Sequence, residues 1–151
     1  MHIQFTHHVL IAGSRDTTPE MRDYARRAVR RAHAKGYTVI VGDNPKGVDM
    51  AVVTECRRLK ARVIVAGIAD FPRNFGCGHG TYIKVGYETY FSSSYHMSSP
   101  YAARDRWMVD QCQTALFIWN GVSPGTKVGY DYAVLRGKTA HLVNFDRMPQ
   151  L

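Results

Sequence analysis

The sequence predicts an α/β fold: a three-layer parallel sheet of about five strands with helices on both faces. Three observations predict it. Short apolar runs ("HHVLIAG", "YTVIVG", "ARVIVAG", "TALFIW", "TAHLVNF") alternate with stretches of helical length and periodicity. The first three runs are near-continuously apolar, as strands covered on both faces of a parallel sheet are. The first, second and fourth runs lead through a glycine-containing turn into the start of a helix.

The elements follow in order. "HHVLIAGSR" is a strand ending at Gly13. "TTPE" starts the first helix, with Thr17 or Thr18 as cap, Pro19 in the first turn and Glu20 near the positive end of the dipole. In "MRDYARRAVRRAHAKG", Met21, Tyr24, Ala25, Ala28, Val29 and Ala32 fall at helical spacing, so the arginines form the wet face. Gly36 closes that helix. "YTVIVG" is the second strand, Gly47 to about Lys60 the second helix and "ARVIVAG" the third strand. A stretch rich in Gly, Ser and aromatic residues then breaks the pattern from 70 to 99; such a segment is a lid, an oligomer contact or a disordered loop. A helix starting on Pro100, the strand "TALFIW", the helix "GTKVGYDYAVLRG" and the strand "TAHLVNF" complete the chain. The expected order of the five strands is the Rossmann-like 3-2-1-4-5, with ligands met at the switch between strands one and four.

The 151 residues suit a single domain spanning 1–151, with an irregular insertion at about 70–99. No apolar run approaches the ~20 residues of a membrane span, and the N-terminus lacks the pattern of a signal peptide. Cys56, Cys77 and Cys112 are odd in number and lack C-x-x-C spacing. They read as reduced thiols of a cytoplasmic protein, and no metal site is expected. The formal charge of +8 points towards an anionic partner, although much of the excess sits on the solvated face of the first helix.

In a parallel sheet the turns after all strands lie along one edge. "GSRD" (Gly13–Asp16), "GDNPKGVD" (Gly42–Asp49) and "NGVSPGT" (Asn120–Thr126) would therefore converge there with Ala66 and Gly67. Helix N-termini at such turns present unpaired amides to an anion, and glycine lets the backbone approach it closely. Neither G-x-G-x-x-G nor G-x-x-x-x-G-K-[ST] is present, so neither a dinucleotide fingerprint nor a P-loop marks the chain, and no resident cofactor is expected.

A strand ending in "GSR", a G-x-x-x-x-G-x-D turn, the helix "RDRWM" and a strand followed by S-x-GT together resemble the SLOG superfamily of Rossmann-like domains. That superfamily includes the LOG-type nucleotide phosphoribohydrolases, YpsA-related proteins and the core of DprA, and the likeness is to its small members of undefined function. It covers Val9 to Val65 and Tyr101 to Val143. The resemblance implies binding of a nucleotide or nucleotide-derived ligand at the glycine-lined edge, as sensor or carrier. By position, Gly13, Ser14 and Arg15 would sit beside the ligand, and Gly42, Lys46, Gly47 and Asp49 would form a second wall. Arg104 would approach phosphate, and Ser123, Gly125 and Thr126 would bind it. The hydrolase branch has P-G-G-x-G-T-x-x-E, whose glutamate acts in N-glycosidic cleavage; Gly129 stands at that position here.

Other readings stay open. Arg15 and Arg104 suit bidentate phosphate binding or structural ion pairs. Asp43 and Asp49 could bind ribose hydroxyls, or Asp49 could cap a helix. His7, His8, His79 and His96 show no metal-ligand spacing. Trp107 and Trp119 read as core, with Trp119 also placed to border a base. Tyr82, Tyr87, Tyr90, Phe91 and Tyr95 could stack on a base or form an oligomer contact. Three functions follow: nucleotide binding, LOG-like phosphoribohydrolase activity, and DprA-like nucleic-acid binding. The last is weakened because no helix-turn-helix and no interleaved aromatic-basic stripe is present. The expected partners are a nucleotide-type small molecule and further copies of the chain, with no membrane.

Overall fold

The structure is a computed structural model that describes residues 7–74, 76, 78–86 and 100–146. Among these residues six strands form one sheet: β1 (His8–Gly13), β2 (Thr38–Gly42), β3 (Val63–Gly67), β4 (Thr81–Lys84), β5 (Thr114–Trp119) and β6 (Thr139–Asn144). Their order is β4-β3-β2-β1-β5-β6, and every neighbouring pair is parallel. The expected Rossmann-like order is therefore present, with β5 and β6 as its fourth and fifth strands.

The strand count is corrected from five to six. Residues Thr81–Lys84, inside the segment read as irregular, pair with β3 from Ile64↔Thr81 to Gly67↔Lys84. An edge strand is covered less than a central one. Thr81 and Lys84 are exposed, so "TYIK" carries none of the continuous apolar signal of the inner strands.

Among the described residues four helices flank the sheet: α1 (Pro19–Ala34), α2 (Gly47–Leu59), α3 (Pro100–Gln111) and α4 (Pro124–Leu135). Strand residues alternate between two cores. Ile11, Val39, Val41 and Val65 pack against Met21, Ala25, Val29 and Val52 of α1 and α2. Leu10, Ile40, Ala115 and Phe117 pack against Met108, Val109 and Ala133 of α3 and α4. Each fully buried side chain of this size contributes about 1.5–3 kcal/mol, which holds both helix layers to the sheet. Cys56 and Cys112 are buried free thiols within these cores; Cys77 lies outside the described residues.

The helix ends follow local chemistry. Thr18 is the cap of α1, its Oγ1 accepting from the Met21 amide at 3.3 Å. Thr17 instead accepts from the Arg22 guanidinium. Gly36, at φ +73°, provides the left-handed residue that ends the helix. Among the described residues no helix is long and apolar enough to cross a membrane.

Candidate functional site

Because the sheet is parallel, the C-terminal ends of β1, β2, β3 and β5 meet at one edge, where Gly13, Gly42 and Gly125 all lie. A cleft of about 570 Å³ opens there, at the point where the strand order switches from β1 to β5. Its apolar floor includes Leu10, Met108, Val109 and Phe117.

The turn after β1 is fixed by its neighbours. The Ser14 amide donates to the Ile118 carbonyl (3.0 Å), its carbonyl accepts from the Val48 amide (3.1 Å), and its Oγ accepts from the Asn120 amide (3.0 Å). Ser14 thus ties β1 to β5 and to α2. A Cβ on Gly13 would collide with the Ile118 carbonyl oxygen and the Val48 side chain. These two residues are required by close packing at the cleft margin.

The turn after β5 is organised by Asn120. Its Oδ1 accepts from the Val122 and Ser123 amides and from Ser123 Oγ, and its Nδ2 donates to the Asp16 carbonyl. Ser123 stands at the N-cap of α4 but gives no side-chain bond to the helix, because its hydroxyl is engaged by Asn120. The amides of Gly125 and Thr126 therefore have no side-chain cap, and both residues line the cleft. A Cβ at Gly125 would meet nothing within 4 Å, while Thr126 is buried with its face to the cavity. Trp119 donates from Nε1 to the Ser123 carbonyl at 2.8 Å, which clamps this turn; it does not line the cleft.

The opposite wall is an ion-pair network. Asp43, fully buried, accepts from Arg104 Nη1 (2.8 Å), from Arg73 Nε and Nη2 (3.1 and 2.9 Å) and from the Arg73 amide (3.1 Å). Arg104 Nε and Nη2 also donate to Asp105 Oδ1 at 3.0 and 2.9 Å. Burial works against the Arg104 charge, but Asp105, Asp49 and Asp43 outweigh it and hold the guanidinium firmly protonated. Tyr101 lies beneath the guanidinium carbons of Arg73 and Arg104, its centroid 4.2 and 5.2 Å from them.

Asp49 lines the cleft and accepts from the Asn44 amide at 3.1 Å. Burial pushes its carboxyl up from 3.8 to about 6, against the pull of the Arg104 charge and the Asn44 amide. Gly42 makes room for this pair, since a Cβ there would lie 2.6 Å from Asp49 Oδ2 and 2.9 Å from Arg104 Nη1.

Of the expected residues, the cleft gathers Gly13, Ser14, Arg15, Asp49, Arg104, Ser123, Gly125 and Thr126. Asp43 is the buried centre of the network and, like Gly42, does not itself line the cleft, while Lys46 and Gly47 line a separate cavity. Tyr82 donates to the Ala69 carbonyl away from the cleft; Tyr87, Tyr90, Phe91 and Tyr95 lie outside the described residues. Arg73, Tyr101 and Asn120 were not singled out from the sequence. Arg73 follows the glycine that ends β3, the same signal that marked the other turns.

Gly129 borders the cleft above Phe117, and a Cβ there would lie 3.0 Å from Phe117 Cε1. A glutamate at that position would need the ring to shift.

No family model matches the sequence, and no curated protein matches it. Solved structures do match. The molybdenum cofactor binding protein of Rippkaea orientalis superposes with a TM-score of 0.75 at 15% identity, covering 95% of this chain and 80% of that one. The Moco carrier protein of Chlamydomonas reinhardtii gives 0.67 at 12% identity, covering 94% and 79%. DNA processing protein A of Streptococcus pneumoniae gives 0.69 at 13% identity, covering 91% of this chain and 50% of that one. The chain shares the Rossmann-like fold of these proteins. At these identities the likeness is one of fold; the cleft residues above are this chain's own.

Proposed function

We propose that the protein binds a nucleotide or nucleotide-derived ligand in the β1–β5 cleft, as a carrier or sensor. The observation that carries this reading is the uncapped start of α4, whose first-turn residues Gly125 and Thr126 line a cavity at the sheet's switch point. Charge in the cleft is divided. Arg15, Arg73 and Arg104 stand with Asp16, Asp49 and Asp105, so the site is not a simple anion trap. That division suits a ligand with a phosphate for the α4 amides and hydroxyls for the carboxylates. The apolar floor suits a planar ring. Cofactor-carrier proteins share the fold, which favours a carrier role by analogy.

A second reading, N-glycosidic hydrolysis, draws on Asp49, whose raised pKa in a cleft is the mark of a candidate proton donor. The crowded space at Gly129 speaks against the family's own catalytic arrangement. Calorimetric titration of AMP against adenosine tests the binding reading. The monophosphate should bind at least about tenfold more tightly, the worth of a charge-assisted hydrogen bond, and Thr126→Ala should narrow the gap. Equal affinities would remove the phosphate position from α4.

A further inference from the structure

The arginines of α1 do not share one fate. Arg27 pairs with Asp23 and Arg30 with Glu55. Arg22 and Arg26, one turn apart, instead border a second cavity of about 510 Å³ between the starts of α1 and α2. Arg15 and Lys46 border it too, so four cations surround a space whose lining holds one carboxylate, Asp16. Among the described residues the side chains of Arg15, Arg26 and Lys46 form no ion pair. Four like charges around one cavity repel, and a multivalent anion relieves that repulsion more than any neutral occupant.

This cavity is not remote from the cleft. Arg15 and Asp16 line both. Between the two, Gly47, at φ +70°, lets the second turn pack directly on the first; a Cβ there would collide with the Ser14 carbonyl and lie 2.5 Å from Arg15 Cα. The two cavities thus share Arg15 and Asp16, and the backbones of the first and second turns meet beside them.

We propose that the Arg15–Arg22–Arg26–Lys46 cavity is a second anion position, for a ligand carrying two or more phosphates spaced along one chain. Guanidinium pairs grip such phosphates by parallel charge-assisted hydrogen bonds. The joint occupation of both cavities rests on the nucleotide reading of the cleft; the second position itself does not. The shared chemistry fits either a polyphosphate-linked nucleotide or a short single strand of nucleic acid.

The test uses four probes in calorimetry at low salt: AMP, diadenosine tetraphosphate, a thymidine tetranucleotide and inorganic tripolyphosphate. At least one chain-like ligand should bind about tenfold or more tightly than AMP. Arg26→Ala should remove about tenfold from that ligand and Arg26→Glu more, with AMP changed by less than about twofold. Whichever chain-like ligand responds identifies the source of the phosphates. Arg26 lies on a helix surface and alanine is a strong helix former, so the fold is kept. Tripolyphosphate separates the two readings. If it binds and weakens with Arg26→Glu while AMP does not bind, the second position stands and the nucleotide reading falls. If AMP binds and every polyphosphate ligand is indifferent to both Arg26 variants, the second position is refuted and the cleft reading stands.

Discussion

Asp49→Asn changes how stability depends on pH, and the size of the change follows from the burial of the carboxyl. Asp49 titrates at about 6 in the folded protein against 3.8 for the free side chain. Between these values the folded state holds a proton that the unfolded state has released, so stability falls as pH rises through this window. The full loss, reached above pH 6, is about 3 kcal/mol at 1.36 kcal/mol per tenfold change in acidity. Roughly 1 kcal/mol of it is already spent at pH 4.5, which leaves about 2 kcal/mol between pH 4.5 and 7.5. Asparagine keeps the shape and can still accept from the Asn44 amide, but it carries no charge to desolvate. Urea unfolding of both proteins at the two pH values gives the answer. The stability of Asp49→Asn relative to wild type should rise by about 2 kcal/mol between pH 4.5 and 7.5. The attraction of the ionised carboxyl to Arg104 is already contained in the value of about 6, so it is not counted a second time. A difference independent of pH would refute the claim that Asp49 is held in an environment hostile to its charge.

Three further outcomes are expected. Arg104→Ala should destabilise the fold by about 3–5 kcal/mol in urea unfolding, because it strips a partner from the fully buried Asp43. Glu55, nearly buried, is held down from 4.5 to about 2, chiefly by its hydrogen bonds to Arg58 and then Arg30 and against its own burial. Its stabilisation is present above pH 4.5 and lost as pH falls through 2, so Glu55→Gln should cost about 1–2 kcal/mol at neutral pH, a figure reduced for the half-exposed arginines, and progressively less in acid unfolding series. Chromatographic assay of AMP with the purified protein should show no multiple-turnover release of adenine. Turnover that disappears in Asp49→Asn with binding intact would instead make Asp49 the catalytic acid.

What could be read in the sequence was whatever local composition records. The continuous apolar runs of β1, β2 and β3 marked buried parallel strands, and Gly13, Gly42 and Gly125 marked the edge where their turns meet. β4 escaped because an edge strand needs no apolar run. The site was legible in its glycines and in the start of α4, and less so in its charges. Which arginine meets which carboxylate depends on contacts such as Arg104 with Asp43, 61 residues apart, and Arg73 with Asp43, 30 residues apart. Local spacing carries no record of those pairings. Lys46 was placed with the cleft because it shares a turn with Asp43 and Asp49, yet the start of α2 turns it towards the other cavity. Asn120 organises its turn through the bonds of one side chain, which the turn's composition does not reveal.

A phosphate seated on the open first turn of α4 must perturb the backbone amides of that turn. The most direct test is a titration of the isotope-labelled protein with AMP, followed through the backbone amide resonances. The amides of Gly125 and Thr126 should shift first and furthest, saturating together with Arg15, while adenosine leaves Gly125 and Thr126 nearly unmoved. Saturable AMP shifts that spare Gly125 and Thr126 would put the phosphate elsewhere in the protein.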